Sequence, residues 1–591
     1  MFNVVHVSHE VVQKIGGIGS VLEGLITSDD YDAAVGRTVL LCPLFTTHGD
    51  VDSRLGPQGE VLYSSLDGRT DHPLAGAFRE IQERYRVEIV YGRRLYRDAL
   101  HGTTRRPEVI LIDVSRCAPE PVNWLKGRFF DAYGIRSDRY EQSWDYEQWL
   151  RLAEPGLAAL RALGVAGGPT PCVVIAHEFM GMPTALAARL RPEWGIKTAF
   201  HAHEVGTIRR IVEDHPGHDT TFYNVLRLAR AKGLTCEDVF GDQHGYYRHA
   251  LVEASAHLDV TLAVGDFVVD ELRFLSNKMA QSNIRLCYNG IPAYDLSEAE
   301  SAASKNRLRD YIETLLGYRP DFVFTHVTRM TPSKGLWRDV RVMEYIEEQF
   351  RRQGLTGVLI VLSTEIGGPR RREDIVHMER WWDWPVAHRE GAPDLSGGEA
   401  LFYANVQGFN ARSRNCKILF INQFGFDRAH CGDRMSEHME FWDIRRGSDV
   451  EFGQSIYEPF GIAQLEAISF GSICVMTNVC GCAGFVNKAT GGQETPNVII
   501  ADYTDYRAPS DTIEAYMDLS RAQREALGER VAHDVAQRIL ERLPRSHPAA
   551  AACIDRGYDL ATRMSWDAVV RDYFLPAMKD ICEARTSVRV A

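Results

Sequence analysis

Glu458 and Glu466 stand eight positions apart around a Pro459-Phe460-Gly461 turn, within the run Ser455-Ile-Tyr-Glu-Pro-Phe-Gly-Ile-Ala-Gln-Leu-Glu-Ala467. An apolar, helix-like pattern after the turn would aim backbone N–H groups at an anion. One carboxylate before the turn could then accept from sugar hydroxyls, and one two helical turns later from a ribose. A nucleotide-sugar offers both. The same spacing also fits a solvated helix face, so the rest of the chain must decide.

Four further loops carry suitable chemistry. Glu10-Val-Val-Gln-Lys14-Ile-Gly16-Gly17-Ile-Gly19 follows the first strand pattern. Glycines there let backbone approach a ligand, with Lys14, Gly16 and Gly17 as donor-binding candidates. It is not the G-x-G-x-x-G of a dinucleotide site. His177-Glu178 ends another strand pattern, and His201-Ala-His203-Glu204 with Arg209 ends the next. These suit hydrogen bonds to sugar hydroxyls or phosphate. Zinc is the other reading of two alternate histidines, but no fitting third ligand is visible in the sequence, so no metal is expected. Arg329 and Lys334, in Arg-Met-Thr-Pro-Ser-Lys-Gly335, would put two cations where a leaving diphosphate gains charge.

Composition narrows the classes. The 591 residues exceed one hydrophobic core, so at least two domains are expected. A formal charge of −13 argues against nucleic acid or an acidic membrane as partner. No run approaches the roughly 20 apolar residues of a bilayer span. The start lacks a signal-peptide pattern and the twelve cysteines form no framework, so a cytoplasmic protein with reduced thiols is expected.

Short β-branched runs alternate with longer helical patterns, which reads as α/β with parallel sheets. Strands are expected at 3–7, 38–42, 109–113, 172–176, 198–201 and 261–264, then at 321–327, 358–363, 417–421, 472–477 and 498–501. Asn289-Gly290 with Ile291-Pro292 marks a boundary. The expected fold is two facing Rossmann-like domains with ligand in the cleft at their strands' carboxyl ends. An acceptor-side domain spans 1–295 and a nucleotide-sugar domain 296–558. A C-terminal helix from 559 to 591 crosses back to the first. The stretch 367–449, with Trp381-Trp-Asp-Trp384, is expected to be an insertion, serving either as an oligomer contact or as a sugar-stacking surface.

Taken together these segments resemble glycogen and starch synthases. Glu10 through Leu22 resembles the N-terminal loop of the animal and fungal glycogen synthases. His203 with Arg209 is similar to that family's Thr-His-Ala-Thr loop and its arginine. Arg329 with Lys334 is closer to the Arg-x-x-x-x-Lys-Gly loop of the bacterial and plant enzymes. Tyr457 through Glu466 resembles the glutamate motif of retaining transferases of GT-B architecture, and Asn289-Gly290 the opening of their linker. The resemblance implies a retaining hexosyltransferase moving glucose from UDP-glucose or ADP-glucose to an α-1,4-glucan, with a lean to UDP. A small-acceptor transferase and a nucleotide-sugar epimerase are the alternatives. It implies no cofactor and no metal. Displacement would occur on one face, with the departing phosphate oxygen helping to take the acceptor proton. Arg329, Lys334, Glu458, His203 and Arg209 would be catalytic, with Arg209 reaching in from the opposite domain. Lys14, Gly16, Gly17, Gly461 and Glu466 would bind donor, and His177 would contact sugar or acceptor. Departures are Ser20 in place of the bacterial and plant aspartate, Met180 at a position where bacterial enzymes carry histidine, and no visible arginine-rich C-terminal helix.

Overall fold

The computed structural model describes residues 1–13, 16–364, 370–391, 394–423 and 425–584. Lys14 lies outside them. The chain divides into two compact units, 1–208 with 229–290 and 566–591, and 209–228 with 291–565.

The first unit is built on a nine-stranded sheet. In spatial order its strands are Ile284–Leu286, Val260–Ala263, Ile196–Ala202, Cys172–His177, Phe2–Val7, Val35–Pro43, Glu108–Asp113, Glu88–Arg93 and Glu60–Ser64. Pairing is parallel from the Ile284 edge to Glu108–Asp113, and the last two strands join antiparallel. Phe2–Val7 and Cys172–His177 are buried along their whole length, as expected for central strands covered on both faces. The register sets His177 directly beside His201. The two histidines therefore emerge together at the carboxyl ends of adjacent strands.

The second unit has six parallel strands in the order Cys416–Ile421, Gly357–Ser363, Phe322–Thr328, Val450–Gly453, Ile473–Thr477 and Val498–Ala501. One face buries Phe324, Val342, Phe350 and Val475 against the helices Leu336–Gln353 and Arg521–Arg542. The other buries Val323, Leu308, Ile312 and Ile360 against Glu298–Leu316. This is a doubly wound layer, with order reversing between Phe322–Thr328 and Val450–Gly453. Such a switch point is where ligands bind.

Several expectations need correction. The stretch 367–449 is no separate insertion: Cys416–Ile421 is the edge strand and its helices pack on the sheet. Its tryptophans split, because the Trp384 ring is fully buried and donates to Asn422 Oδ1 at 2.8 Å while Trp381 is exposed. No continuous sugar-stacking face results. Residues 209–228 group with the second unit, and the return to the first begins at Trp566. The helix His547–Arg563 stays with the second unit. No α-helix follows Gly461; an irregular turn leads to a short 3-10 turn at Ile468–Phe470. All twelve cysteines are free thiols, and among the described residues no helix is long and apolar enough to cross a membrane.

The return is seated on two glycines. A Cβ at Gly24 would meet the Trp566 ring at 2.1 Å, and one at Gly290 would come within 2.6 Å of the same residue. Gly24→Ala is therefore expected to destabilise the first unit by about 1–3 kcal/mol through overpacking. Adding Trp566→Leu should recover part of that loss. A thermal-unfolding double-mutant cycle with strictly additive effects would refute the contact.

Candidate active site

In the second unit, Arg329 and Lys334 lie on the loop that leaves the strand Phe322–Thr328. Ile456 N–H donates to Ser333 O at 2.8 Å, which binds this loop to the segment carrying Glu458. Lys334 Nζ and Glu458 Oε2 form an ion pair, each side chain less than one-fifth exposed. Ser455 Oγ also donates to Glu458 Oε2 at 3.3 Å. The Arg329 guanidinium is half-buried and has no partner among the described residues. Gly335 and Gly461 hold the turns, with φ of +62° and +93°. A Cβ at Gly335 would lie 2.3 Å from Gln454 O, so glycine is required there on both counts.

Glu466 is anchored from below. Arg445, 1% exposed, donates to Glu466 Oε2 at 2.7 Å and to Glu451 at 2.5 Å. Glu451 also accepts from Thr325 Oγ1, on the strand that feeds the Arg329 loop. One Glu466 oxygen is thus held in the core. Sequence reasoning missed Arg445 and Glu451. The signal for Glu451 was charge in the otherwise apolar setting of a short strand; Arg445, on the helix Phe441–Arg446, gave none.

Arg209 pairs with Glu213 at 3.0 Å. It belongs to the second unit, so the expectation that it acts from the opposite domain is not met.

In the first unit a carboxylate already sits at the helix Gly17–Thr27. Gly16 N–H and Gly19 N–H each donate to Glu10 Oε2 at 2.8 Å. The expectation that the Gly16 amide cradles a donor phosphate is therefore corrected, since Glu10 already holds it. Gly17 opens the same helix, and a Cβ there would meet nothing within 4 Å.

His177 is also corrected as a sugar contact. It is fully buried, and both ring nitrogens are engaged: Nε2 with His6 Nδ1 and Nδ1 with His203 Nε2, each at 2.8 Å. His203 is half-buried and its Nδ1 has no partner among the described residues, so His203 is the member able to meet a ligand. His201 is buried with neither nitrogen bonded. Burial lowers all four histidines, His6 and His201 to about 3, and mutual repulsion adds to the effect at His6, His177 and His203. They are neutral imidazoles at physiological pH. The fold does bring a third histidine to the pair, with ligand atoms of His177, His201 and His203 within 4.8 Å of one another. A cation bound through either nitrogen of His177 would displace one of its two hydrogen bonds; as it stands the set is a hydrogen-bonded array.

Beside it Glu178 takes a left-handed φ of +59°, a strained conformation for a side-chain-bearing residue. Its carboxyl is buried, accepts from Glu204 N–H at 2.6 Å, and is pushed well above the usual carboxylate range by burial and by Glu204. Arg248 lies 4.0 Å from Glu204 and opposes that shift in part.

Residues 434–533, which include Glu458 and Glu466, match the family described as Glycosyl transferases group 1. No curated protein matches the sequence. Among solved structures, the catalytic domain of Starch Synthase IV from Arabidopsis thaliana, bound to ADP and acarbose, aligns with TM-score 0.52 and 14% identity over 98% of this chain and 99% of that one. Sucrose-phosphate synthase from Thermosynechococcus elongatus aligns with TM-score 0.50 and 12% identity over 99% and 100%. The chain has the mixed α/β fold of GT-B glycosyltransferases along its whole length, and residues 434–533 of its second unit are similar to the group 1 glycosyl transferases.

Proposed function

We propose that this protein is a retaining glucosyltransferase that extends an α-1,4-glucan from UDP-glucose or ADP-glucose. The observation that carries the reading is the Lys334–Glu458 ion pair beside Arg329, which has no partner among the described residues, at the switch point of a parallel sheet. Without donor, Lys334 and Glu458 satisfy each other. A nucleotide-sugar would divide them, drawing Lys334 to the diphosphate and leaving Glu458 to accept from sugar hydroxyls.

As the bond from the anomeric carbon to the phosphate oxygen breaks, the nucleoside diphosphate keeps the electron pair and its charge grows. Arg329 and Lys334 offset that charge, which needs no metal. Arg209 is the further cation on this unit. The Glu466 oxygen not bound by Arg445 accepts from the ribose, and Gly461 leaves room for the donor to approach backbone. In the first unit His203 addresses sugar hydroxyls. Each charge-stabilising group in a water-excluded site is worth about 3–4 kcal/mol. The resemblance of the loops to glycogen and starch synthases supports the glucan as acceptor.

The test is to supply each nucleotide-glucose with and without glycogen or maltooligosaccharide. Nucleotide release that requires glucan, with a ladder of longer chains, is expected. One product of fixed size on a sugar phosphate would replace the acceptor assignment. Donor consumption without any acceptor would point to epimerisation.

Lys334→Ala and Glu458→Gln should each lower kcat by roughly 10²–10³ while the protein stays folded by circular dichroism. Near-normal turnover in both would remove these assignments. Glu178 gives a pH signature. Its folded pKa is raised, so its stabilising contribution is complete below the unfolded value of 4.5 and is lost as pH rises toward the folded value. Glu178→Gln mimics the neutral acid, so melting-temperature scans should show it more stable than wild type at pH 8 and equal near pH 4.5. A constant difference across that range would contradict the shift.

A further inference from the structure

Away from the loops assigned above, a second group of metal-ligating side chains converges in the first unit. Asp242, His244, His249 and Glu253 fall in one short stretch around the start of the helix Tyr247–Glu253. His249 and Glu253 stand one turn apart on that helix, which brings both side chains to the same face. His244 reaches the same place from the turn before the helix. One ligand atom from each of His244, His249 and Glu253 lies within 4.8 Å of the others. His244 Nε2 and Glu253 Oε2 are already 3.1 Å apart. Ligands about 2.0–2.2 Å from a tetrahedral zinc ion stand roughly 3.3–3.6 Å from one another, so small side-chain rotations close the set. We propose that His244, His249 and Glu253 bind a zinc ion, with water completing the tetrahedron. The site lies wholly in the first unit and does not depend on the transferase reading.

The groups behind the ligands suit the assignment. His244 Nδ1 donates to Asp242 Oδ1 at 2.7 Å, and the His244 backbone N–H donates to the same oxygen at 2.8 Å. A carboxylate behind an imidazole fixes its tautomer and leaves Nε2 to the metal. The His249 ring is held through Nδ1 by Thr207 Oγ1 at 3.0 Å. Glu253 takes a hydrogen bond from the Ser276 side chain, at the start of the helix Asn277–Gln281. The ion would thus tie the turn before Tyr247–Glu253 to two helices. His244 and Glu253 also line two cavities, of about 210 and 100 Å³, so an ion held by both faces open space for its water.

Charge separates this set from the histidine array of the same unit. His177, His201 and His203 carry nothing to offset a dication. Glu253 supplies one negative charge as a ligand, and Asp242 a second behind His244. Two imidazoles with one carboxylate suit zinc and its neighbours in the first transition row, whereas calcium and magnesium take oxygen. Without the ion both His244 nitrogens face carboxylate oxygens, which only accept, so each carries a proton. The ion takes the place of the Nε2 proton, which leaves to water, and Nδ1 keeps its own toward Asp242.

The test uses full-length protein stripped with a chelator and returned to zinc alone. Elemental analysis after desalting should find one equivalent in wild type. His244→Ala, at a partly exposed turn, and Glu253→Ala should each lose it while circular dichroism shows them folded. Asp242→Asn, at an exposed position, keeps all three ligands and should weaken zinc binding about 10–100-fold. His201→Ala should keep the ion. Cobalt in place of zinc should give the visible bands of a tetrahedral ion with no thiolate charge-transfer band, which sets the cysteines aside. Zinc should raise the melting temperature of wild type and leave that of His244→Ala unmoved. No zinc in wild type, equal binding by a folded His244→Ala, unchanged affinity in Asp242→Asn, or loss of the ion in His201→Ala alone would each overturn the site.

Discussion

The buried guanidinium of Arg445 is the interaction on which the second unit's chemistry depends. A charge that deep is tolerable only when paired, and removing one partner of such a pair typically costs about 3–5 kcal/mol. Arg445 has two carboxylate partners, Glu451 and Glu466. Glu451 is tied through Thr325 to the strand that ends in the Arg329 loop. The strand register, the anchored oxygen of Glu466 and the start of the cation loop thus share one electrostatic knot. The site's charges are placed by the core's charges.

The first unit solves the same problem differently. Its strand ends carry imidazoles that burial keeps neutral and a carboxyl that burial pushes toward its protonated form. The helix start that follows its first strand is already occupied by Glu10. No vacancy for a diphosphate remains at the Gly16 amide, and the groups left over donate and accept hydrogen bonds without net charge. A surface of that kind suits hydroxyl-rich molecules. The second unit, with Arg329 and Lys334, suits the anion.

Much of this was legible from the chain, and the failures have physical causes. Runs such as Val358–Ser363 declare themselves because a parallel strand covered on both faces is apolar throughout. Val450–Gly453 did not: it is four residues long and carries Glu451, whose buried partner is distant in pattern though near in sequence. The antiparallel pair Glu60–Ser64 and Glu88–Arg93 was equally silent, having mixed burial. Lys334 and Glu458 were recognisable by residue type and loop position, yet 124 positions separate them and only the fold shows them paired. His6 looked like an ordinary core residue. Its place in the histidine array appears only when the register sets His177 beside His201 and the next turn brings His203 to His177.

Glu458 shows why the donor-free arrangement matters for mechanism. A carboxylate meant to grip sugar hydroxyls would repel an incoming diphosphate if it stood unpaired near the phosphate site. Paired with Lys334 it presents no net charge, and the half-buried Arg329 remains the exposed attraction on that loop. Binding then exchanges one ion pair for a lysine–phosphate contact and a set of hydroxyl hydrogen bonds. Because each group leaves the ion pair for a new hydrogen-bonded partner, neither is left both partly buried and unsatisfied, which would cost several kcal/mol. With a formal charge of −13 the protein as a whole would repel the anionic donor proposed for it, so attraction has to come from local cations such as these.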